Sequence, residues 1–433
     1  MQKINIIGGG LAGVEAALCL SRYGLKVNLF DMKPEKFSEV HKNENLSEIV
    51  CSNSFGNMSI STSSGLLKKE MEILDSEVVK TAYSVKVDAG GALAVDREKF
   101  SYEMTQKVKK DNNINIVRRV VEKLDNENIW IVACGPLCDN SLTDYLQKEV
   151  FDNKFLNFFD AIAPIVYTDS IDTSKGFWGS RYSDDKDYFN CILNEDEYNE
   201  FYENLISAEK VKVKEFEQNY FEACLPIEEI AKRGKQTLLF GPLKPVGLEY
   251  NSKRPFAVVQ LRKENREGSL LSLVGFQTKL TYKEQKRVFS LIPALKNAEF
   301  AKLGSLHKNT FIDSPKLLNH FLQLKNRQNI FFAGQITGVE GYMASAATGI
   351  FAGMNIALLV KGKNMMNLPK NTMLNGLVEY ITTKEGEFQP MSENFGLVEP
   401  IKMKNKKLRR EKQAEIAIEH MKKWREDYES IIT

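Results

Sequence analysis

The chain has 433 residues, 43% of them hydrophobic and 27% charged, which excludes a mostly disordered polymer. At about 150 residues per domain, this length predicts two to three domains. Fifty-nine Lys and Arg against 57 Asp and Glu leave a net charge of +2, too balanced for a histone-like polycation. Lys3 to Ile7 reads as a short strand, followed at once by Gly8-Gly9-Gly10-Leu11-Ala12-Gly13. Ala16, Ala17, Leu18 and Leu20 then recur at helical spacing up to Gly24, and Lys26 to Phe30 alternates as a second strand ending at Asp31. Gly65 to Leu74 is predicted helical, and Ile114 to Leu124 and Ile129 to Ala133 as further strands of the same sheet. From about Cys191 the texture changes, and Thr237 to Phe240, Phe256 to Leu261 and Leu270 to Phe276 read as β segments. Ile330 to Gly334 returns to a strand–glycine pattern, with a helix over Tyr342 to Leu359. The expected organisation is a discontinuous first domain, 1–190 and 301–400, with an inserted α+β domain at 191–300. A basic tail, 401–433, carries ten Lys and Arg within 24 residues from Lys402, interleaved with Glu, and reads as a solvated amphipathic helix.

No run of 18 consecutive apolar residues occurs, so a membrane partner is not expected. The first residues run straight into Ile4 to Ile7 with no basic leader. Six scattered cysteines and four histidines without CxxC pairs read as reduced thiols of a cytoplasmic protein without a metal site.

Gly8, Gly10 and Gly13 stand in GxGxxG register inside a strand–helix–strand unit. There Gly8 permits the tight turn, Gly10 lets the backbone approach a pyrophosphate, and Gly13 allows close helix–strand packing. Gly9, Leu11 and Ala12 complete the turn, whose helix N-terminus faces the phosphate charge. Asp31, 18 residues after Gly13, is placed to accept hydrogen bonds from an adenosine ribose. Two later strings favour FAD over NAD as the dinucleotide. One is the strand ending at Cys134-Gly135-Pro136; the other is Gly334-Gln335-Ile336-Thr337-Gly338-Val339-Glu340-Gly341-Tyr342, dense in glycines where a backbone must come close to a ligand. The fold class is therefore α/β, Rossmann-like. No second GxGxxG unit for a nicotinamide is found, which disfavours a plain flavin NAD(P)H oxidoreductase.

Taken together these strings resemble the folate- and FAD-dependent RNA uracil-5-methyltransferases, the TrmFO family, nearly end to end. The resemblance runs through Glu48 to Ser54, Gly65 to Met71, Ala89 to Arg97, Ala163 to Val166 and Asp169 to Asp172. It continues through Phe221 to Glu228, Phe240 to Leu248, Val258 to Arg262, Val274 to Thr278 and Gly334 to Tyr342. It implies a GidA-related FAD-binding fold, 5,10-methylenetetrahydrofolate as one-carbon donor and NAD(P)H as reductant. It implies an RNA substrate as well: the T-loop uridine of tRNA, or a uridine of 23S rRNA. It also implies Cys224 as the nucleophile for uracil carbon 6, and Cys51 as a second cysteine that handles the methylene and deprotonates carbon 5. His307 matches the family histidine that stacks on the pterin, and Cys19, Cys134, Cys138 and Cys191 are read as inert buried thiols. Arg97 and Lys244 are candidates for RNA phosphate or folate glutamate, against a plainer reading as solvated surface charges. Asp31, Cys134, Ala223 and Ala344 depart from the family pattern, standing where glutamate, threonine, glycine and glutamate are usual.

Overall fold

The computed structural model describes residues 2–151, 155–211 and 225–433, with only the backbone of 158 and 159. Strand β1 (Ile4–Ile7) runs into helix α1 (Leu11–Arg22) and returns as β2 (Val27–Asp31), parallel to β1 in the register Ile4 opposite Val27. Three more parallel strands complete the sheet: Ile114–Arg118 beside β2, then Ile129–Val132 and Ile330–Phe332 on the far side of β1. All four residues of β1 are buried, as expected of a parallel strand covered on both faces.

Helix Tyr342–Val360 is long and apolar enough to cross a membrane, yet it is mostly buried inside the protein. The reason is visible in its small residues. A Cβ at Gly349 would lie 2.2 Å from the Ala12 carbonyl oxygen, and one at Gly353 would lie 3.2 Å from that of Ala16. Glycines one turn apart let this helix and α1 touch backbone to backbone, so its apolar surface is core. The C-terminal helix Lys406–Ile432 closes the same core with Ala414, Ala417, Met421, Trp424, Tyr428 and Ile432, spaced for one face. The expected solvated tail is thus a docked core helix.

A second core spans Val166 to Leu295 and is built on a six-stranded sheet. Strands Ile165–Tyr167 and Gly176–Ser180 belong to it, so the second unit begins earlier than the composition change at 191 indicated. Strand Ser183–Leu193 is the reason: it pairs on both sides within this sheet, and only its inward half is apolar. Thr237 to Phe240, expected as β, lies in the helical turn Lys235–Phe240 between Gly234 and Gly241, with only Leu238 buried.

Buried carboxylates fasten the helices. Both oxygens of Glu70 accept the backbone N–H groups of Met373 and Leu374, at 2.7 and 2.8 Å, opening the helix Met373–Thr383. Glu70→Ala leaves two buried donors unpaired and is expected to destabilise the protein by about 2–4 kcal/mol, with a smaller loss for Glu70→Gln. Denaturant unfolding checks this, and equal midpoints for Ala and wild type would show that the two donors find other partners.

Candidate active site

A cleft of about 1140 Å³, partly open to solvent, lies at the carboxyl ends of the parallel strands where β1 and Ile129–Val132 part. Gly8, Gly9, Gly10, Leu11 and Ala12 line it with Asp31, and Gly135, Gly334, Gln335 and Tyr342 line it from the later strings. Gly8 has φ +108°, and a Cβ there would lie 2.2 Å from the Ala133 carbonyl oxygen. A Cβ at Gly9 would meet the Asp31 carboxylate, whereas one at Gly10 would meet no atom within 4 Å. Gly10 is therefore where the backbone is open to a ligand. Helix α1 begins there with no side-chain cap and no acid in its first turn, leaving free N–H groups and the positive helix end for an anion. Asp31 is buried and accepts the Lys33 N–H at 2.8 Å, which fixes its carboxylate at the end of β2. A glycine cradle, a free helix N-terminus and a fixed acceptor fit the pyrophosphate and ribose of FAD.

A second cleft of about 980 Å³ adjoins the first and shares the walls Pro136, Leu137, Gln335 and Tyr342 with it. Cys51 lines this second cleft, on a loop held residue by residue. Arg97 donates to the Ile49 carbonyl, Lys302 Nζ to that of Val50 at 3.1 Å, and the Cys51 N–H donates to the Tyr342 hydroxyl at 2.8 Å. Arg262 of the second unit then donates to Ser52 Oγ at 2.7 Å and Asn53 Oδ1 at 3.0 Å. Asn53 in turn bridges the carbonyls of Val95 and Lys263. The Glu48 to Ser54 string is thus the seam between the two units, which accounts for its polar residues.

Across the cleft, strand Ser305–Phe311 pairs antiparallel with Leu156–Ile162, His307 opposite Asp160. Alternation along these strands turns Asp160, Ile162, His307 and Asn309 into the cleft. His307 Nε2 lies 2.7 Å from Ser305 Oγ, and burial holds its ring below the usual histidine range despite Glu39 nearby. Glu340, also in the wall, accepts from Gln335 Nε2 at 2.8 Å. Burial, reinforced by Asp160, pushes its carboxyl up to about 8, so near neutral pH it holds a proton. Burial first and Asp160 second push the Cys51 thiol up to about 12. Removing the carboxylate charge with Asp160→Asn should lower that value and speed alkylation of Cys51 at pH 8 a few-fold. Peptide mass spectrometry after timed iodoacetamide treatment reads this, and a slower reaction would contradict the sign.

Several sequence-derived candidates stand elsewhere. Gly13 lies behind the turn, where a Cβ would lie 1.9 Å from the Gly8 carbonyl oxygen, and it serves helix–strand packing. Gly338 lines neither cleft; its φ is +87° and a Cβ there would lie 2.5 Å from the Phe388 ring, so the position requires glycine. Arg97 is no solvated charge and lines neither cleft, because Glu264 binds it at 2.6 Å and Ile49 takes its other side. Lys244 is half-buried and lines neither cleft. Cys224 lies outside the described residues. Cys19 and Cys191 are buried, but Cys134 and Cys138 are partly exposed and line the first cleft. Asp160 and Glu393, which complete the second cleft, escaped the sequence reading. Only the one-face alternation of the strand carrying Asp160 could have signalled it.

Sheet, glycine turn and paired clefts define the class: an FAD-binding, Rossmann-like α/β protein with a second, antiparallel unit joined to it at the Glu48 to Ser54 loop. A family model described as Glucose inhibited division protein A matches residues 3–364. The chain is 56% identical, over 98% of its length and 96% of the relative's, to a protein of Aquifex aeolicus (strain VF5) named Methylenetetrahydrofolate--tRNA-(uracil-5-)-methyltransferase TrmFO. A protein of the same name from Sulfurihydrogenibium sp. (strain YO3AOP1) is 55% identical over 100% of both chains. The form I crystal structure of Aquifex aeolicus GidA superposes with a TM-score of 0.72, covering 100% of this chain and 76% of that one, at 16% identity, a likeness of fold. The chain belongs to the TrmFO family, and it is an enzyme.

Proposed function

We propose that this enzyme methylates carbon 5 of a uridine in tRNA, the T-loop uridine, with 5,10-methylenetetrahydrofolate as one-carbon donor and NAD(P)H as reductant. One observation carries the reading: the dinucleotide cleft adjoins a second cleft that holds Cys51 beside His307, Tyr342 and three carboxyl groups, Asp160, Glu340 and Glu393. Gly8 to Ala12, Asp31, Gly135, Gly334 and Gln335 would hold FAD, which when reduced supplies the hydride that completes a methyl group.

Carbon 5 of uracil is a poor nucleophile until a thiolate adds to carbon 6, and the family resemblance gives that addition to Cys224. Once carbon 5 has taken the one-carbon unit, it must lose its proton before the thiolate can leave. Cys51 is the candidate for that proton. Its thiol is neutral at rest, since burial and Asp160 oppose the thiolate. It must therefore first release its own proton to solvent or a neighbouring acceptor, and the thiolate so formed then takes the proton from carbon 5. Tyr342 keeps its own proton, its hydroxyl pushed up by burial, and fixes the Cys51 backbone. The neutral His307 ring presents a flat face to a pterin, and Glu340 holds a proton ready for a leaving amine or an enolate oxygen.

The test is turnover with methylenetetrahydrofolate and NADPH on unmodified tRNA and, separately, 23S rRNA, followed by nucleoside mass spectrometry. 5-Methyluridine in tRNA is the expected product. Product in rRNA alone would move the chemistry to another RNA. NADPH oxidation with no methylated nucleoside in either would make the protein an oxidoreductase.

A further inference from the structure

The stretch Lys402 to Arg410 holds six cations and no acid, namely Lys402, Lys404, Lys406, Lys407, Arg409 and Arg410. The rest of the helix, residues 411–432, has four cations against six acids and forms the pairs Lys412–Glu415 and Arg425–Glu429. Charge is therefore segregated along this helix rather than interleaved. No carboxylate among the described residues pairs with any of the six. Lys402, Lys404, Lys406 and Lys407 are exposed, while Arg410 lies over the Phe395 ring at 5.4 Å.

This placement is unfavourable for the protein alone. Lys406 and Lys407 open the helix, whose first turn has no acid and whose end already carries partial positive charge. Six uncompensated cations gathered there repel one another unless a polyanion stands opposite. From Lys406 on, the cluster is also fixed in space, because the apolar face of its helix is buried in the first core, while Lys402 and Lys404 lie in the segment leading into that helix. A short strap ties it to the second cleft. Met391 exchanges backbone hydrogen bonds with Gly338 and Glu340 at 2.9 and 2.8 Å, Glu393 lines the cleft, Phe395 carries Arg410, and the Glu399 carbonyl takes Gln413 Nε2.

We propose that Lys402 to Arg410 is a fixed phosphate-binding surface that holds the RNA backbone outside the cleft and takes no part in choosing the uridine. It rests on the reading of RNA as substrate. A charged groove or surface that tracks the backbone gives affinity without reading bases, and its signature is salt dependence.

The experiment compares wild type with a variant carrying Lys402→Gln, Lys404→Gln, Lys406→Gln and Lys407→Gln, all exposed positions chosen to spare the fold. A control with equal charge change carries Lys26→Gln, Lys86→Gln, Lys109→Gln and Lys110→Gln, exposed positions of the first unit. The affinity of unmodified tRNA is measured from about 50 to 300 mM salt, together with the rate and position of methylation. Every phosphate that is no longer neutralised should flatten the log–log salt slope by about 0.7–0.9. For the Lys402–Lys407 variant we expect a slope shallower by about 2–3 and binding weaker by about tenfold or more at 50 mM salt. The same uridine should be modified, at an unchanged rate once RNA is saturating, and the control should match wild type. Equal slopes for variant and wild type, or an equal drop in the control, would overturn the proposal. So would a change in the uridine modified. Absence of methylation by the wild type on any RNA would overturn the functional reading instead, and the salt slopes would still separate the two failures.

Discussion

A valine at position 10 is expected to give a folded but colourless protein. A Cβ at Gly10 meets no atom within 4 Å, and the backbone there has an ordinary extended conformation, φ −77° and ψ −174°, so the fold has room for the side chain. That room is the space at the start of α1 where a pyrophosphate must approach the free N–H groups, and an isopropyl group there excludes it. We expect a loss of at least ~100-fold in FAD affinity, equivalent to about 2.7 kcal/mol, with an unfolding midpoint like that of the flavin-free wild type. Gly13→Val is the contrasting variant. Its side chain would run into the Gly8 carbonyl oxygen, so it should fail to fold rather than merely lose the flavin. Absorbance and flavin fluorescence of the purified proteins read both results. A Gly10→Val protein holding stoichiometric FAD would remove the glycine turn from the cofactor site.

Replacing Cys224 by Ala should cut methyl transfer by ~10³-fold or more while leaving FAD content and NADPH oxidation near wild type. In the proposed reaction this thiolate acts on the base, so flavin reduction would not need it. Cys51→Ala should also stop net methylation, but at a different point, since Cys51 stands in the second cleft where a carbon 5 proton would be taken. RNA bearing 5-fluorouridine at the target, which has no carbon 5 proton to lose, separates the two. Wild type and Cys51→Ala should form a denaturation-resistant protein–RNA adduct, and Cys224→Ala should not. Adduct formation by Cys224→Ala would shift the nucleophile's role to Cys51.

The dinucleotide half of the site was legible because it is local. A strand, three glycines in register, a helix and an acid within Ile4 to Asp31 each impose their own conformation, and the parallel sheet forms around them as read. The long Gly334 to Tyr342 string was legible in part. Gly334 and Tyr342 do line the clefts, whereas Gly338 is glycine because of Phe388, a ring fifty residues further on that no local pattern announces. The start of the second unit was misplaced for a similar reason. Ile165–Tyr167 and Gly176–Ser180 have no texture of their own that marks them, and only pairing with strands up to Phe300–Lys302 assigns them to its sheet.

By itself, then, the sequence determined what adjacent residues impose on one another: the glycine turn, the acid at the end of β2, the amphipathic C-terminal helix and the presence of Cys51 in a polar string. Tertiary structure alone decided what charge and burial do to those residues. Arg97 became a clamp because Glu264, 167 residues away, lies within hydrogen-bond reach of it. Cys51 became a neutral thiol because a distant strand brings Asp160 to the same cleft and the surrounding packing removes water. The electrostatic environment of a side chain is summed over neighbours in space, with burial setting how strongly each charge is felt, and a linear sequence orders residues by covalent distance only.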